Sequence, residues 1–371
     1  MRPISCMQRP IQMRTVEVEH NKSREDPMLA AKLFPDHGGP SWRMPGFKKR
    51  ILILGTGPLA IDLCHVIVSQ KRWLVDIVGF LDGKAERVVG ERLVNPGIVG
   101  TYDQLAQVVE QYHVDTIVVC MEDRRSILPV HTLLDFKAIG LDILDGHHLF
   151  EEASGRLSID SLRPSALVFS KGFRRRLASL VSKRILDVVA SAVGLVVLCP
   201  LFVLVALVIR MDSPGPVFYR QVRVGLRGRP YMIWKFRSMR QDAEKAGPRW
   251  AQANDPRISR VGWWLRKTRV DEFPQLVNVL RGDMSLVGPR PERPVFVQDL
   301  RIVIPYYDIR HTVRPGVTGW AQVKFRYGAS QEDSHTKLQY DLYYVKNLSL
   351  LLDLKILVHT IRVMMLGLGA H

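Results

Sequence analysis

Cysteine is scarce in this chain, with four among 371 residues, at Cys6, Cys64, Cys120 and Cys199. They are too scattered for a metal-ligand spacing or a disulfide framework, so a zinc module and a disulfide-stapled scaffold are not expected, and a reducing compartment is. Acidic residues are also short: 36 Asp and Glu face 53 Lys and Arg, a formal charge of +17. That balance implies anionic partners, either nucleic acid, a membrane surface or phosphorylated substrates. Zinc-finger and RNA-binding signatures are lacking and the basic residues flank a long apolar segment, so no nucleic acid partner is expected. A cytoplasmic membrane face attracts such residues at roughly 1 kcal/mol each. Residues 1–47 hold no apolar stretch of signal-peptide length. Polar, mixed in charge and punctuated by Pro and Gly, they read as a flexible tail.

What is present begins at Lys48. An apolar run, Ile51 to Leu54, leads into Gly55-Thr56-Gly57-Pro58-Leu59-Ala60 and a helix through Val68. A strand entering Gly-x-Gly-x-x-Ala and a helix is the opening of a dinucleotide fold, where glycine backbone and the helix N-terminus approach phosphates. Strands are expected at Asp76–Leu81, Thr116–Met121 and Asp142–Leu144, and helices at Asp103–Tyr112 and Ser126–Ile139. The alternation predicts a Rossmann-like parallel α/β domain over residues 48–150. Gly55, Gly57 and Asp82 are its candidate nucleotide-binding residues, Asp82 falling near the spacing of a ribose-binding acid. The glycines serve simple strand-to-helix packing equally well, and Asp82 equally suits a turn before Gly83. No acid, base or nucleophile set accompanies the loop. No Tyr-x-x-x-Lys pair follows within the first 150 residues, which argues against an epimerase or dehydratase. His147-His148 read as surface or packing histidines, because adjacent side chains diverge.

Residues 151–182 read as a connector, with Arg163-Pro164 interrupting order and Arg174-Arg175-Arg176 opening a basic run that faces a membrane. From Ile185 to Ile209 the chain is apolar, and ~25 residues of straight helix are long enough to cross a bilayer. Lys183 and Arg184 precede the segment and Arg210 follows it, so basic flanks do not choose opposite sides. Pro200 lies near the middle and withdraws a backbone donor. Residues 183–210 are therefore expected to form a re-entrant membrane helix-break-helix, broken at Pro200.

Residues 211–371 are expected to form a mainly helical α+β domain. Ser213-Pro214-Gly215-Pro216 is a rigid turn, and Val217–Tyr219 with Tyr231–Trp234 read as strands around a Gly225–Gly228 turn. Trp263-Trp264 are either interfacial anchors or a core pair. Leu348–Leu366 reads as an amphipathic helix that rests on the membrane or on a partner subunit of a homo-oligomer. Within this domain Asp271-Glu272 are adjacent carboxylates in a basic stretch, with Arg257, Arg266 and Arg269 before them and Arg290 after. A carboxylate so placed can act as a nucleophile, and its neighbour can handle protons or hold a divalent cation. By charge pattern alone a solvated helix face is the commoner meaning.

The residue order resembles the bacterial sugar transferases, the monotopic polyprenyl-phosphate phosphoglycosyl transferases. The resemblance runs from Lys183-Arg184-Ile185-Leu186-Asp187 through Ser213-Pro214-Gly215-Pro216-Val217, Tyr219-Arg220-Gln221-Val222-Arg223 and Lys235-Phe236-Arg237-Ser238-Met239. It continues through Asn254-Asp255-Pro256-Arg257, Asp271-Glu272-Phe273-Pro274-Gln275-Leu276, Gly288-Pro289-Arg290-Pro291 and Arg314-Pro315-Gly316-Val317-Thr318-Gly319-Trp320. The resemblance implies transfer of a sugar 1-phosphate from a UDP-sugar to polyprenyl (undecaprenyl) phosphate with release of UMP, through a covalent aspartyl-phosphosugar on Asp271. It implies Mg²⁺ as cofactor, held by Asp271 and Glu272, and phosphate binding by Lys235, Arg237, Arg257, Arg266, Arg269, Arg290 and Arg314. It further implies membrane lipid as a partner, the cytoplasmic face of a bacterial inner membrane as location, and a regulatory or scaffolding Rossmann-like domain. Many relatives begin with several spanning helices, which this sequence lacks, so attachment is expected from residues 183–210. Tyr306-Tyr307, Tyr327-Gly328-Ala329-Ser330 and Tyr340-Asp341-Leu342-Tyr343-Tyr344 look like exopolysaccharide-associated members, which points to glucose or galactose. The reading of a different class is a non-catalytic membrane-associated nucleotide sensor.

Overall fold

In the computed structural model the described residues are 48–70, 75–83, 96–121, 127–162, 164–170, 172–173, 177–240, 243, 255–325 and 330–365. The expected tail, the Arg174–Arg176 run and Tyr327-Gly328-Ala329 lie outside them. Five parallel strands open the described chain: β1 Lys49–Leu54, β2 Val75–Asp82, β3 Ile98–Thr101, β4 Thr116–Val119 and β5 Asp142–Asp145, in the order β3-β2-β1-β4-β5. Helices α1 (Pro58–Ser69) and α4 (Gly146–Ser154) cover one face, and α2 (Leu105–Tyr112) and α3 (Val130–Ala138) the other. Because both faces are covered, Ile51 to Leu54 are all fully buried, which is why β1 reads as an unbroken apolar run. The parallel α/β sheet expected from the sequence is present, with β1 at its centre. The edge strand β3 was not expected, since four residues reading Ile-Val-Gly-Thr carry too short a pattern.

The next stretch is packed rather than loose. After α4, Leu157 and Ile159 are buried among Val297, Leu300, Leu338 and Leu342 of the C-terminal region. Leu157 N donates to Gln339 O at 3.2 Å, Trp320 Nε1 donates to Gly155 O at 2.8 Å, and Lys346 pairs with Glu151. A short helix, α5 (Pro164–Phe169), follows.

Helix α6 spans Leu177–Asp212 with Pro200 inside it. The break expected at Pro200 is absent: the helix runs through it. A proline costs one backbone donor and crowds the carbonyl four residues back, and the long apolar flanks carry the helix across that defect. Both halves are fastened to the C-terminal region. Near the start, Lys183 Nζ donates to Asp353 Oδ2 (2.8 Å) and Val287 O (3.0 Å), while Asp187 accepts from Ser285 Oγ (3.0 Å) and Leu286 N (2.9 Å). Arg184 donates to Val279 O (2.6 Å) and Leu280 O (2.9 Å), capping the C-terminal end of the Gln275–Arg281 helix. Near the end, Phe202, Val205 and Ile209 pack with Phe236 and Leu265. Val193, Val196, Val197, Val203, Leu204 and Leu207 remain exposed.

The rest of the chain builds a frame around one loop cluster. An antiparallel hairpin joins β6 (Phe218–Val224) to β7 (Pro230–Phe236). Helix α7 (Arg260–Lys267) leads through a 3-10 turn, Val270–Glu272, into α8 (Gln275–Arg281). Strands β8 (Ser285–Val287) and β9 (Gly316–Thr318) pair in parallel. Between them lie the 288–293 loop, α9 (Pro294–Val303) and a 3-10 turn, Tyr307–Thr312. Helices α10 (Trp320–Lys324), α11 (Gln331–Lys346) and α12 (Leu350–Met365) close the region. On α7 Trp263 and Trp264 are 47% and 62% exposed, which removes the core-pair reading, and Lys267 Nζ lies 4.7 Å from the Trp263 ring centroid. On α12 Leu351, Leu354, Val358 and Ile361 form an exposed apolar stripe at helical spacing.

Candidate active site

Asp271 and Glu272 occupy the 3-10 turn that enters α8, with Pro274 as its N-cap residue. The turn begins at Arg269, whose φ of 61° is left-handed, an unusual conformation for a side chain of this size. Both carboxylates are buried, at 7% exposure each. A solvated helix face is therefore excluded.

The two acids meet opposite surroundings. Glu272 Oε1 accepts from Arg290 Nη2 at 2.6 Å and from Lys235 Nζ at 3.0 Å, with Arg269 Nη1 at 4.0 Å. Burial alone raises its pKa, but Arg290, Lys235 and Arg269 together hold it well below the usual carboxylate range. Asp271 has no hydrogen bond or ion pair among the described residues. Burial, reinforced by the neighbouring Glu272 charge, lifts its pKa to about 6 against the pull of Lys235, Arg266 and Arg290. Glu272 is thus a permanent, neutralised anchor, and Asp271 is a carboxylate unbonded among the described residues, whose pKa of about 6 lies close to neutral pH.

Of the basic residues expected to bind phosphate, the structure brings Lys235, Arg266, Arg269 and Arg290 around the acidic pair. Three others are engaged with the protein itself. Arg237 is buried and donates to Ser213 O (2.6 Å), Pro214 O (2.9 Å) and Ser213 Oγ (3.0 Å), clamping the chain where it leaves α6. Arg257 forms a two-pronged pair with Asp255, at 2.6 and 2.8 Å, inside its own turn. Arg314 is exposed and its Nε donates to Gly282 O at 2.9 Å. In each case the guanidinium finds carbonyl or carboxylate oxygen nearer to hand.

Sequence reasoning also missed supports. Asn278 ties α8 to β7, accepting from Trp234 N (3.0 Å) and donating to Met232 O (2.7 Å), which fixes the strand that carries Lys235. Its signal was an amide set between Val277 and Val279 in α8. In the N-terminal sheet Gly55 has a φ of +107°, and a Cβ there would meet Met121 N at 3.1 Å, so close packing against the chain just past β4 already demands glycine. Gly57 is the N-cap of α1. Asp82 is buried and accepts from Thr56 Oγ1 at 2.7 Å, so the acid and the glycine loop are held together.

Among the described residues no group of three or more His, Cys, Asp and Glu side chains could hold a metal ion. The donors suit magnesium held by a carboxylate oxygen together with substrate phosphate oxygens, the usual arrangement for that ion, and not an all-protein cage.

Comparison with known proteins matches residues 178–367 to the bacterial sugar transferase family. A UDP-N-acetylgalactosamine-undecaprenyl-phosphate N-acetylgalactosaminephosphotransferase of Aeromonas hydrophila is 44% identical over 228 residues, covering 60% of this chain and 52% of that protein. An undecaprenyl-phosphate glucose phosphotransferase of Komagataeibacter xylinus is 33% identical, covering 85% of this chain and 58% of that protein. A UDP-glucose:undecaprenyl-phosphate glucose-1-phosphate transferase of Xanthomonas campestris pv. campestris is likewise 33% identical, with 84% and 66% covered. The chain spans between about half and two thirds of the length of these relatives.

Proposed function

Because the chain belongs to the bacterial sugar transferase family, we propose that it moves a sugar 1-phosphate from a UDP-sugar to undecaprenyl phosphate, releasing UMP. The observation that carries the mechanism is the split between the two buried acids: Glu272 is bonded to Arg290 and Lys235, while Asp271 has no hydrogen bond or ion pair among the described residues. An Asp271 carboxylate oxygen attacks the β-phosphorus of the donor. The phosphoanhydride bond to the α-phosphate breaks, UMP departs with the electron pair, and the sugar phosphate stays on Asp271 as an acyl phosphate. An oxygen of the polyprenyl phosphate then attacks the same phosphorus and frees the carboxylate, leaving a polyprenyl diphosphate sugar. The two anionic substrates need not be present together.

Lys235, Arg266, Arg269 and Arg290 offset the charge of the donor phosphates, and Glu272 holds the Arg290 guanidinium beside Asp271. Magnesium bound beside Asp271 would supply charge neutralisation on the phosphate oxygens. The helix α6 attaches the protein to one leaflet, at the cytoplasmic face. Both its ends are fastened to one C-terminal region, through Lys183 and Asp187 at the start and Arg237 at the end, while the apolar face between them is exposed. Trp263 and Trp264 anchor at headgroup depth. The Rossmann-like sheet serves regulation or scaffolding, and the sugar is glucose or a related hexose. Incubating the full chain in detergent with undecaprenyl phosphate, magnesium and a panel of UDP-sugars tests the reading. UMP release with at least one donor is expected, and no release from any donor by folded protein refutes it.

A further inference from the structure

The loop that carries Arg290 is pinned through every carbonyl from residue 289 to 292. Pro289 O accepts from Gly316 N (3.0 Å), Arg290 O from Arg310 Nη2 (2.8 Å), Pro291 O from Arg223 Nη1 (3.0 Å) and Glu292 O from Val224 N (3.0 Å). Two of the four residues are prolines with no N–H of their own, so the loop cannot brace itself with a ladder and relies on donors brought from elsewhere. Three are ordinary neighbours on β6 and β9. The fourth, Arg310, is deeply buried and held by its own set of partners.

Arg310 is 6% exposed. Its Nη1 donates to the Tyr307 hydroxyl at 2.6 Å, and its Nη2 lies 2.8 Å from Asp341 Oδ2 of α11, a close ionic contact rather than an aligned hydrogen bond, the directed donation of Nη2 going to Arg290 O. Asp341 is 2% exposed. A buried ion pair is a costly way to gain stability, since apolar residues of similar volume do as well or better. Its presence directly behind a loop that points a guanidinium at Glu272 calls for a role that apolar packing would not fill. Aligned donation to one carbonyl oxygen is such a role.

We propose that Arg310, held in place by Asp341 and Tyr307, is a positioning residue that fixes the Arg290 carbonyl and so aims the Arg290 guanidinium at Glu272 and the donor diphosphate. The proposal rests on the transferase reading above. Arg290 reaches Glu272 at 2.6 Å only while its backbone is fixed, and a misplacement of about 1 Å in such a group costs up to roughly 100-fold in rate. A lysine at 310 keeps the charge but offers a single point, and cannot serve the tyrosine hydroxyl, the carboxylate and the carbonyl in one plane.

The test uses the full chain in detergent and two variants, Arg310→Lys and the apolar replacement Arg310→Met/Asp341→Leu, which removes the pair without stranding either charge. Each is measured for thermal unfolding and for UMP release from UDP-glucose or whichever donor the unaltered chain accepts. The expected result for the folded apolar double variant is a loss of roughly 10- to 100-fold in kcat per folded molecule. Arg310→Lys should lose turnover in the unaltered background but little further in an Arg290→Lys background, because the two residues act through one contact. Hydrogen exchange gives a readout independent of turnover: the amides of Val224 and Gly316, which bind the loop, should exchange at least tenfold faster in both Arg310 variants. Full turnover by the folded double variant, multiplicative losses in the Arg290→Lys background, or unchanged exchange at Val224 and Gly316 each overturns the proposal. If the unaltered chain releases no UMP from any donor, the transferase reading fails instead, and the exchange measurement still decides whether Arg310 holds the loop.

Discussion

Asp271→Asn should abolish transfer and at the same time make the protein more stable. Asparagine keeps the shape of aspartate and discards the charge that the site holds without a partner. A carboxyl lifted from its ordinary 3.8 to about 6 by burial and by Glu272 costs on the order of 3 kcal/mol when ionised in the folded state at neutral pH. The sign follows from the raised folded value. Protonated Asp271 is the form the fold prefers, so its contribution is fully present below pH 4 and is lost as the pH rises through about 6. The substituted protein lacks that loss. Its advantage should therefore be largest at pH 7.5, worth roughly 4 °C in melting temperature for a protein of this size, and should fade as the pH approaches 4. Two assays decide the matter on the same preparation: UMP release from the accepted donor, and thermal unfolding in detergent across pH 4 to 8. Retained turnover removes Asp271 from the nucleophile role. An unchanged or lower melting temperature at pH 7.5 shows that burial does not strain this carboxylate, and the electrostatic division of the acidic pair is then wrong.

Other outcomes follow from the same geometry. Transfer should fall on the acid side with a midpoint near pH 6 as Asp271 of the free enzyme takes up a proton, read from the pH profile of kcat/KM for the UDP-sugar; a flat profile down to pH 5 would contradict it. Arg237→Met should lower stability by about 1 to 3 kcal/mol, because it removes the hydrogen bonds of a buried guanidinium to Ser213 and Pro214, while turnover per folded molecule changes little, which separates a clamp from a phosphate ligand. Gly55→Ala should cost on the order of 1 to 3 kcal/mol in thermal unfolding through its left-handed φ, without altering UMP release by the folded fraction. Single cysteines at the exposed positions Val181 and Met211 should both react only from the cytoplasmic side of intact cells, and labelling of either from outside would establish a spanning helix.

How far these features could be read from the sequence depends on whether a residue's partner lies close along the chain. The β1 to α1 unit was legible because strand, glycine turn and helix are contiguous, and the β6–β7 hairpin because two apolar runs flank a glycine-bearing turn. The acidic pair with Lys235 and Arg290 was legible only through a resemblance in residue order, since nothing local distinguishes these from other basic residues. Arg237, Arg257 and Arg314 show the limit: the same letter serves a carbonyl clamp, an acid in the same turn or a phosphate, and only the fold chooses. The pairing of Arg310 with Asp341 had no signal beyond a lone acid among the buried Leu338, Leu342 and Tyr344 of α11. Pro200 misled for a physical reason. Proline lowers helix stability locally, but in an apolar stretch the neighbouring backbone groups are satisfied by continuing the helical hydrogen bonds.

The packing of residues 155–162 changes what a minimal active fragment must contain. The chemistry assigned to Asp271, Lys235 and Arg290 lies wholly beyond Lys183, so the parallel sheet should be dispensable for transfer. A fragment beginning near Gly172, however, would strip Leu157 and Ile159 from a core they share with Leu338 and Leu342 of α11, the helix that carries Asp341. Removing two such side chains costs about 2 to 5 kcal/mol each. The fault would reach the loop of Arg290 through Arg310. A fragment beginning near Arg156 keeps both side chains and should retain UMP release, whereas one beginning near Gly172 should unfold at lower temperature and lose turnover in step. If the longer fragment, shown to be folded, releases no UMP from a donor that the full chain accepts, the sheet takes part in the reaction itself. If the shorter one is as stable and active as the full chain, the strap at Leu157 and Ile159 does not support the site.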